Sequence, residues 1–333
     1  MDKARFTEQD GWKSEESAAF RSLRSALYAY FETYRATFVN LYNPTNFSDI
    51  CRKERFENEL YKSLYFTIIT QFQNFFELLF KDILNRIETD KSHIKTKNFS
   101  DTLKKLEKIL QTKDEKLMVR KIKFIIDKKE TLKKLNDLRN RIWHRGLFYL
   151  YYCNLDLLVC QDILPLIKKI TALDWYSKKN NWRYNPLVCD IEPIESLIFE
   201  GNSSSPDFER IALYKEMGRA AYNNPMANLD KIKSMLSYSL ERSNNERKSR
   251  LFTEKAEMVC KAFSCSDVFI CPICGLKTLV KYEEDDLEDD ENCAVVKHIP
   301  KKIECEACSF EIYPNIRKLS LCRINDNDFW NIR

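Results

Sequence analysis

Apolar residues recur at intervals of three and four along most of this chain, the spacing that gathers them on one side of an α-helix. From Glu15 to about Tyr42, the positions Phe20, Leu23, Leu27, Tyr30, Phe31, Tyr34 and Phe38 keep this rhythm and predict a first helix. Asn43-Pro44-Thr45-Asn46 reads as a turn. A second long helix is expected over roughly residues 52 to 88, where Leu64, Ile68, Phe72, Phe76, Leu79, Phe80 and Ile83 make a core-like stripe. Residues 89 to 99 are polar and rich in lysine. Lysine-laden helices are predicted at about 101 to 111 and 114 to 145, followed by an apolar helix at about 150 to 172 that ends before Asp174.

Between Tyr176 and Pro206 the pattern weakens, and Asn180-Asn181, Asn185-Pro186 and Gly201-Asn202-Ser203-Ser204-Ser205-Pro206 act as breakers. Helical spacing returns from Phe208 to about Phe263, interrupted at Asn223-Asn224-Pro225, and is polar enough for a connecting module. From Phe269 onwards the chain reads as short β segments around cysteine pairs. The expected architecture is therefore mainly α: a helical bundle over 1–200, a helical connector over 201–265 and a small β module over 266–333. Composition agrees, because 44% hydrophobic and 13% aromatic residues suffice for a core, while five glycines and nine prolines in 333 residues are few for a many-turned sheet protein.

The opening residues, MDKARFTEQDGWKSEES, hold no apolar run of the export type, so a cytoplasmic location is expected. The most apolar stretches, 64 to 84 and 147 to 160, are broken by Gln71, Gln73, Glu77, Lys81 and Asp156, and no membrane span is predicted. The net charge of +5 is unevenly placed. Residues 101 to 150 carry 15 Lys/Arg against 7 Asp/Glu, whereas 281 to 291 hold eight acidic residues beside Lys281. A basic stretch is commonly a solvated helix face, but its coincidence with the motif below favours a polyanionic partner.

That motif is Arg139-Asn140-Arg141-Ile142-Trp143-His144-Arg145-Gly146, in a chain with three histidines, His93, His144 and His298. A looser Arg-to-His spacing also catches Arg86 and His93, but it crosses the polar stretch Glu88-Thr89-Asp90-Lys91 and is read as accidental. On a helix Asn140 and His144 lie one above the other, and Arg139 sits about 140° away from His144. The apolar stripe Leu132, Leu135, Leu138 and Ile142 puts His144 nearly opposite the core and Arg139 at its edge. An arginine there needs a carboxylate, and Glu77 on the second helix is the expected partner. The plain alternative is a wet helix face near a C-terminus, where His and Arg suit the helix dipole. The chemical reading is RNA cleavage: a histidine handles a proton at the 2′-hydroxyl or leaving oxygen, and an arginine stabilises charge on the phosphate.

Arg139-Asn140-x-x-x-His144, followed by Arg145-Gly146 and preceded by a helix carrying Phe76-Glu77, resembles the HEPN superfamily of helical ribonucleases over about residues 15 to 172. The resemblance implies a homodimer in which two copies of the motif form one composite cleft, with metal-independent cleavage. It implies catalytic roles for Arg139 and His144, an orienting role for Asn140, and a match between Glu77 and a frequent carboxylate on the second helix. In a dimer one protomer's Arg139 can serve the other's His144, which eases the 140° separation. Family members act in phage defence, toxin systems or RNA processing, and some only bind.

Cys271-Pro272-Ile273-Cys274-Gly275 and Cys305-Glu306-Ala307-Cys308 form two C-x2-C knuckles, the spacing of a four-thiolate Zn²⁺ site. Such a site is closed, so the zinc is expected to be structural. Cys293 and His298 are alternative ligands, and Cys51, Cys153, Cys160, Cys189, Cys260, Cys265 and Cys322 are expected to pack as small hydrophobes. The acidic run 283–291 is expected as a loop inserted between ribbon strands. Taken together, the motif points to RNA cleavage, and the resemblance implies a homodimeric endoribonuclease with a toxin or phage-defence role among those of its family; the ribbon is expected to offer a surface for a regulatory protein partner. The rival is a non-catalytic, zinc-stabilised scaffold that binds nucleic acid or protein.

Overall fold

The structure, a computed structural model of the chain, describes residues 15–38, 59–87, 98–112, 121–145, 149–177, 182–226, 235–262, 268–290, 293–314, 316, 319–322 and 324. It is mainly helical, with a small four-stranded antiparallel sheet towards the C-terminus. The chain divides into two units. One comprises residues 1–30 and 56–182, the other 31–55 and 183–333.

In the first unit, α1 (Glu15–Phe38) contributes its residues up to Tyr30. The central element is α2 (Glu59–Ile87), which buries Tyr61, Tyr65, Ile68, Ile69, Phe72, Phe75, Phe76, Leu79, Phe80, Ile83 and Leu84. That is wider than the single stripe of a surface helix, so α2 is enclosed on several sides. Phe20 of α1 meets Phe75 edge to face at 6.1 Å, and Phe75, Phe76 and Phe80 continue the aromatic contact along α2. Next comes α3 (Phe99–Thr112), whose first turn is capped by Asn98 accepting from the Asp101 N–H at 2.9 Å.

The lysine-rich stretch forms a short α4 (Phe124–Asp127) and then α5 (Lys129–Arg145), which packs on α2 and α3 through Leu132, Leu135, Leu138 and Ile142. The expected helix over 114–145 is thus broken at Lys128, and residues 113–120 lie outside the described ones. Part of its basic excess holds the fold. Lys129 binds Glu107 of α3 at 2.5 and 2.6 Å, Lys128 binds Asp162 at 2.7 Å and Lys121 binds Asp174 at 2.6 Å.

The apolar helix expected at 150–172 is present as α6 (Tyr152–Leu157), a π-helical turn (Leu158–Ile163) and α7 (Leu164–Thr171). Pro165 accounts for the irregularity. It has no N–H for the Gln161 carbonyl and its ring crowds the preceding turn, so the regular ladder is interrupted there. Among the described residues no helix is long and apolar enough to cross a membrane.

In the second unit, α8 (Pro193–Gly201) leads to α9 (Phe208–Tyr222), capped by the Asp207 carboxylate, which accepts from the Glu209 and Arg210 N–H groups. Every residue from Ile211 to Ala221 is buried, so the stretch that reads as a polar connector begins with an enclosed helix. A Cβ at Gly218 would lie 2.7 Å from the ring tip of Phe31, so glycine permits the close approach of α9 to the last part of α1 without displacing that ring. After α10 (Met235–Ala262), the strands β1 (Val268–Ile270), β2 (Lys277–Asp290), β3 (Cys293–Cys305) and β4 (Glu311–Ile312) form an antiparallel meander in the order β1-β2-β3-β4.

The acidic run is not a loop in this sheet. Glu283 to Asp290 continue β2, paired with β3 from Pro300 to Cys293 beyond a bulge at Tyr282/Glu283. The paired strand, Cys-Ala-Val-Val-Lys-His-Ile-Pro, explains the difference, because a β-branched partner can hold a charged strand in a ladder that the acidic residues alone do not suggest.

Candidate functional site

Both knuckles have the same local build. The Gly275 N–H bonds the Cys271 carbonyl and the Ser309 N–H bonds the Cys305 carbonyl, each at 2.9 Å, and each of these following residues has positive φ, 74° at Gly275 and 58° at Ser309. Glycine meets that demand freely in the first turn, whereas Ser309 adopts it at some strain. The tight turns aim backbone N–H groups at sulfur. Ile273 N lies 3.4 Å from Cys271 Sγ, and Ala307 N and Cys308 N lie 3.4 and 3.5 Å from Cys305 Sγ.

The four thiols are buried, and all their Sγ atoms lie within 4.8 Å of one another. Cys271 and Cys308 are 3.6 Å apart and Cys274 and Cys305 3.7 Å, too long for disulfides and close to the edge, about 3.8 Å, of a tetrahedron built on metal–sulfur bonds of about 2.3 Å. The geometry fits one metal ion. Burial pushes the Cys271 and Cys308 thiols up, while hydrogen bonds from Cys271 and its neighbours hold Cys274 and Cys305 down. The alternative ligands Cys293 and His298 have side chains outside the described residues.

Three features around the cluster escape sequence reading. Thr278 places its hydroxyl 3.1 Å from Cys305 Sγ. The first knuckle is fastened by main-chain bonds from Leu187 N to Ile273 O at 2.8 Å and from Cys189 N to Pro272 O at 3.2 Å. The second is fastened by α9, where Arg219 (1% exposed) donates twice to Glu216 (0% exposed) at 2.6 Å, Arg219 also donates to the Ser309 carbonyl, and Glu216 accepts the Glu311 N–H at 2.6 Å. The signal in the sequence is a glutamate and an arginine three apart, beside Lys215, in the helix segment Ile-Ala-Leu-Tyr-Lys-Glu-Met-Gly-Arg-Ala-Ala, whose other residues are mostly apolar.

No protein-family model, curated protein or solved structure matches this chain. The second candidate site therefore rests on its own geometry.

Arg139, Asn140 and His144 stand in the last two turns of α5. Leu138 and Ile142 fix the rotation of the helix by burial, leaving Arg139 and Asn140 half-buried and His144 exposed. Arg139 Nη1 donates to Asn140 Oδ1 at 3.1 Å, and its guanidinium lies over the Trp143 ring at 5.6 Å. Its Nε is buried with no hydrogen-bond partner among the described residues. The expected pairing with Glu77 is not made. The Glu77 carboxylate accepts from Gln73 and Lys81 on its own helix, both at 2.8 Å, and the four-residue spacing explains why these neighbours win. Arg86 is engaged with Asp82 at 2.7 Å and with the Trp175 and Tyr176 rings, while His93 lies outside the described residues, as does Gly146.

Proposed function

We propose that this chain is an endoribonuclease of HEPN type, cytoplasmic and homodimeric, whose cysteine cluster holds a structural Zn²⁺. The observation that carries the reading is the state of the Arg-Asn-x-x-x-His helix: Asn140 holds the Arg139 guanidinium, and His144 stands exposed one turn beyond Asn140. Arg141 and Lys134 are exposed on the same helix. An oriented cation and an accessible imidazole are the two groups that RNA transesterification needs.

His144 takes the proton of a 2′-hydroxyl, and that oxygen attacks the adjacent phosphorus. Arg139 offsets the charge that gathers on the phosphoryl oxygens. The 5′-oxygen leaves with a proton supplied by a general acid, the second protomer's copy of the histidine in a composite cleft. The products are a 2′,3′-cyclic phosphate and a 5′-hydroxyl. Because Arg139 and His144 lie about 140° apart around one helix, one protomer's arginine serves the other's histidine. Glu77, held by Gln73 and Lys81, acts in this scheme only at a distance, as part of the wall behind α5. The same chemistry suits a toxin or phage-defence effector, with the ribbon as a surface for a regulatory protein.

The test is incubation of the purified protein with total RNA in EDTA, followed by mapping of the new ends. Cyclic phosphates and 5′-hydroxyls are expected, with His144→Ala slower by about 10² to 10⁴ and Arg139→Ala also impaired. DNA should bind but stay intact, since it lacks the attacking hydroxyl. Full activity of His144→Ala, or 5′-phosphate ends, overturns the scheme. The rival reading, a zinc-stabilised binding scaffold, draws on the closed four-thiol cluster, which leaves no position for a substrate. It predicts RNA or protein binding with no cleavage under any condition.

A further inference from the structure

Trp143, beside His144 in sequence, is 56% exposed, and Phe66 of α2 is 38% exposed. Here the two rings meet at 5.6 Å, tilted by 55°, and Trp143 still remains more than half exposed. The Arg139 guanidinium lies over the same indole. It is four residues earlier, on the same side of α5, and its hydrogen bond to Asn140 keeps it there.

We propose that Phe66 and Trp143 form a stacking platform for an unpaired nucleobase of RNA, set beside the Arg139 guanidinium so that one nucleotide is held by base and phosphate together. The proposal rests on the ribonuclease reading for its substrate and adds the residues that select single-stranded over paired RNA. A base inside a duplex has both faces covered by its neighbours, whereas an unpaired base can lie on an indole, and every base has a π-face to offer.

Charge favours a polyanionic occupant of the open indole. The helix that carries Trp143 has six lysines and arginines against Glu130 and Asp137. A polyanion meets these cations with opposite charge, and in the composite cleft of the dimer it also screens the two basic helices from each other. Stacking also gives the exposed tryptophan a role beside an arginine that meets the phosphate.

The test uses the full chain in the His144→Ala background, so that RNA stays whole. Fluorescence anisotropy is read with a labelled single strand, a duplex of equal length and a single strand carrying abasic sites. The single strand is expected to bind tighter than the duplex. Adding Trp143→Ala should weaken single-strand binding by about 5- to 150-fold, the range of one lost stacked base. Trp143→Phe should retain most of the affinity, and the abasic strand should not distinguish the variants. Equal loss on the abasic strand, or no loss at all, overturns the platform. Unchanged RNA affinity with an altered sedimentation mass on Trp143→Ala also overturns it and assigns the patch to contact between copies. Cleavage by the His144-intact chain is scored separately: cleavage without Trp143-dependent stacking removes only the platform, and stacking without cleavage removes only the catalytic reading.

Discussion

A single buried ion pair governs the second knuckle. Burial works against the charge on Arg219, but the neighbouring Glu216 carboxylate, with Glu32 and Glu311 behind it, holds the guanidinium firmly protonated. Removing one partner leaves the other charged in a site closed off by burial, which typically costs about 3 to 5 kcal/mol. Arg219→Met should therefore lower the stability of its unit by that order in urea unfolding. The double variant Glu216→Leu/Arg219→Met should recover only part, because the Ser309 carbonyl and the Glu311 N–H lose their partners as well. Full recovery in the double variant would show that the pair is dispensable and that the helix is seated by apolar contact alone. Arg139 presents the opposite case. Half-buried, with Asn140 and Trp143 in place of a carboxylate, it keeps a charge that the fold does not neutralise, which is the condition an anionic ligand would exploit.

At the scale of elements, the approach of α9 to the end of α1 is set by Gly218. Alanine there would gain up to about 1 kcal/mol of helix propensity. It would also drive a methyl to within 2.7 Å of the ring of Phe31, which is buried and braced by Tyr222 at 5.6 Å. Overpacking of this kind costs about 1 to 3 kcal/mol, so Gly218→Ala should destabilise on balance. Adding Phe31→Leu should restore part of the loss, and a stabilised Gly218→Ala single variant would show that the ring yields. The periodicity of the sequence made the helices legible because each carries an apolar stripe: α1, α2 and α7 lie within the predicted stretches, and Leu132, Leu135, Leu138 and Ile142 are buried as a set. The cysteine knuckles were legible for another reason, a fixed local spacing that four sulfurs need. What stayed hidden depends on partners outside each segment's own pattern. Nothing within the segments themselves says that acidic residues 283–290 will pair with 293–300 or that α9 will be enclosed, whereas the Glu77 partners Gln73 and Lys81 stand four residues to either side and compete locally with Arg139.

For the whole molecule, the division into two units sets what metal loss should do. The unit containing the cysteine cluster has its knuckles fastened to residues 187–189 and to α9, so the cluster is one node of a network spanning residues 187 to 312. The other unit has its own aromatic core along α2 and no part in the cluster. A four-thiolate zinc site contributes an apparent 10 to 16 kcal/mol or so, comparable to the whole stability of a domain, about 5 to 15 kcal/mol. Purified protein should thus carry one Zn²⁺ per chain by elemental analysis. Its removal by a strong chelator should expose residues 268–312 to protease while the helical core around α2 stays resistant. If the RNA chemistry belongs to Arg139 and His144, cleavage should outlast the metal, at least until the opened unit aggregates. Loss of protection around α2 at the same chelator concentration would show that the two units share one cooperative unfolding step. A chain that carries no zinc yet keeps residues 268–312 protected would show that Thr278, Leu187, Glu216 and Arg219 hold the knuckles without an ion.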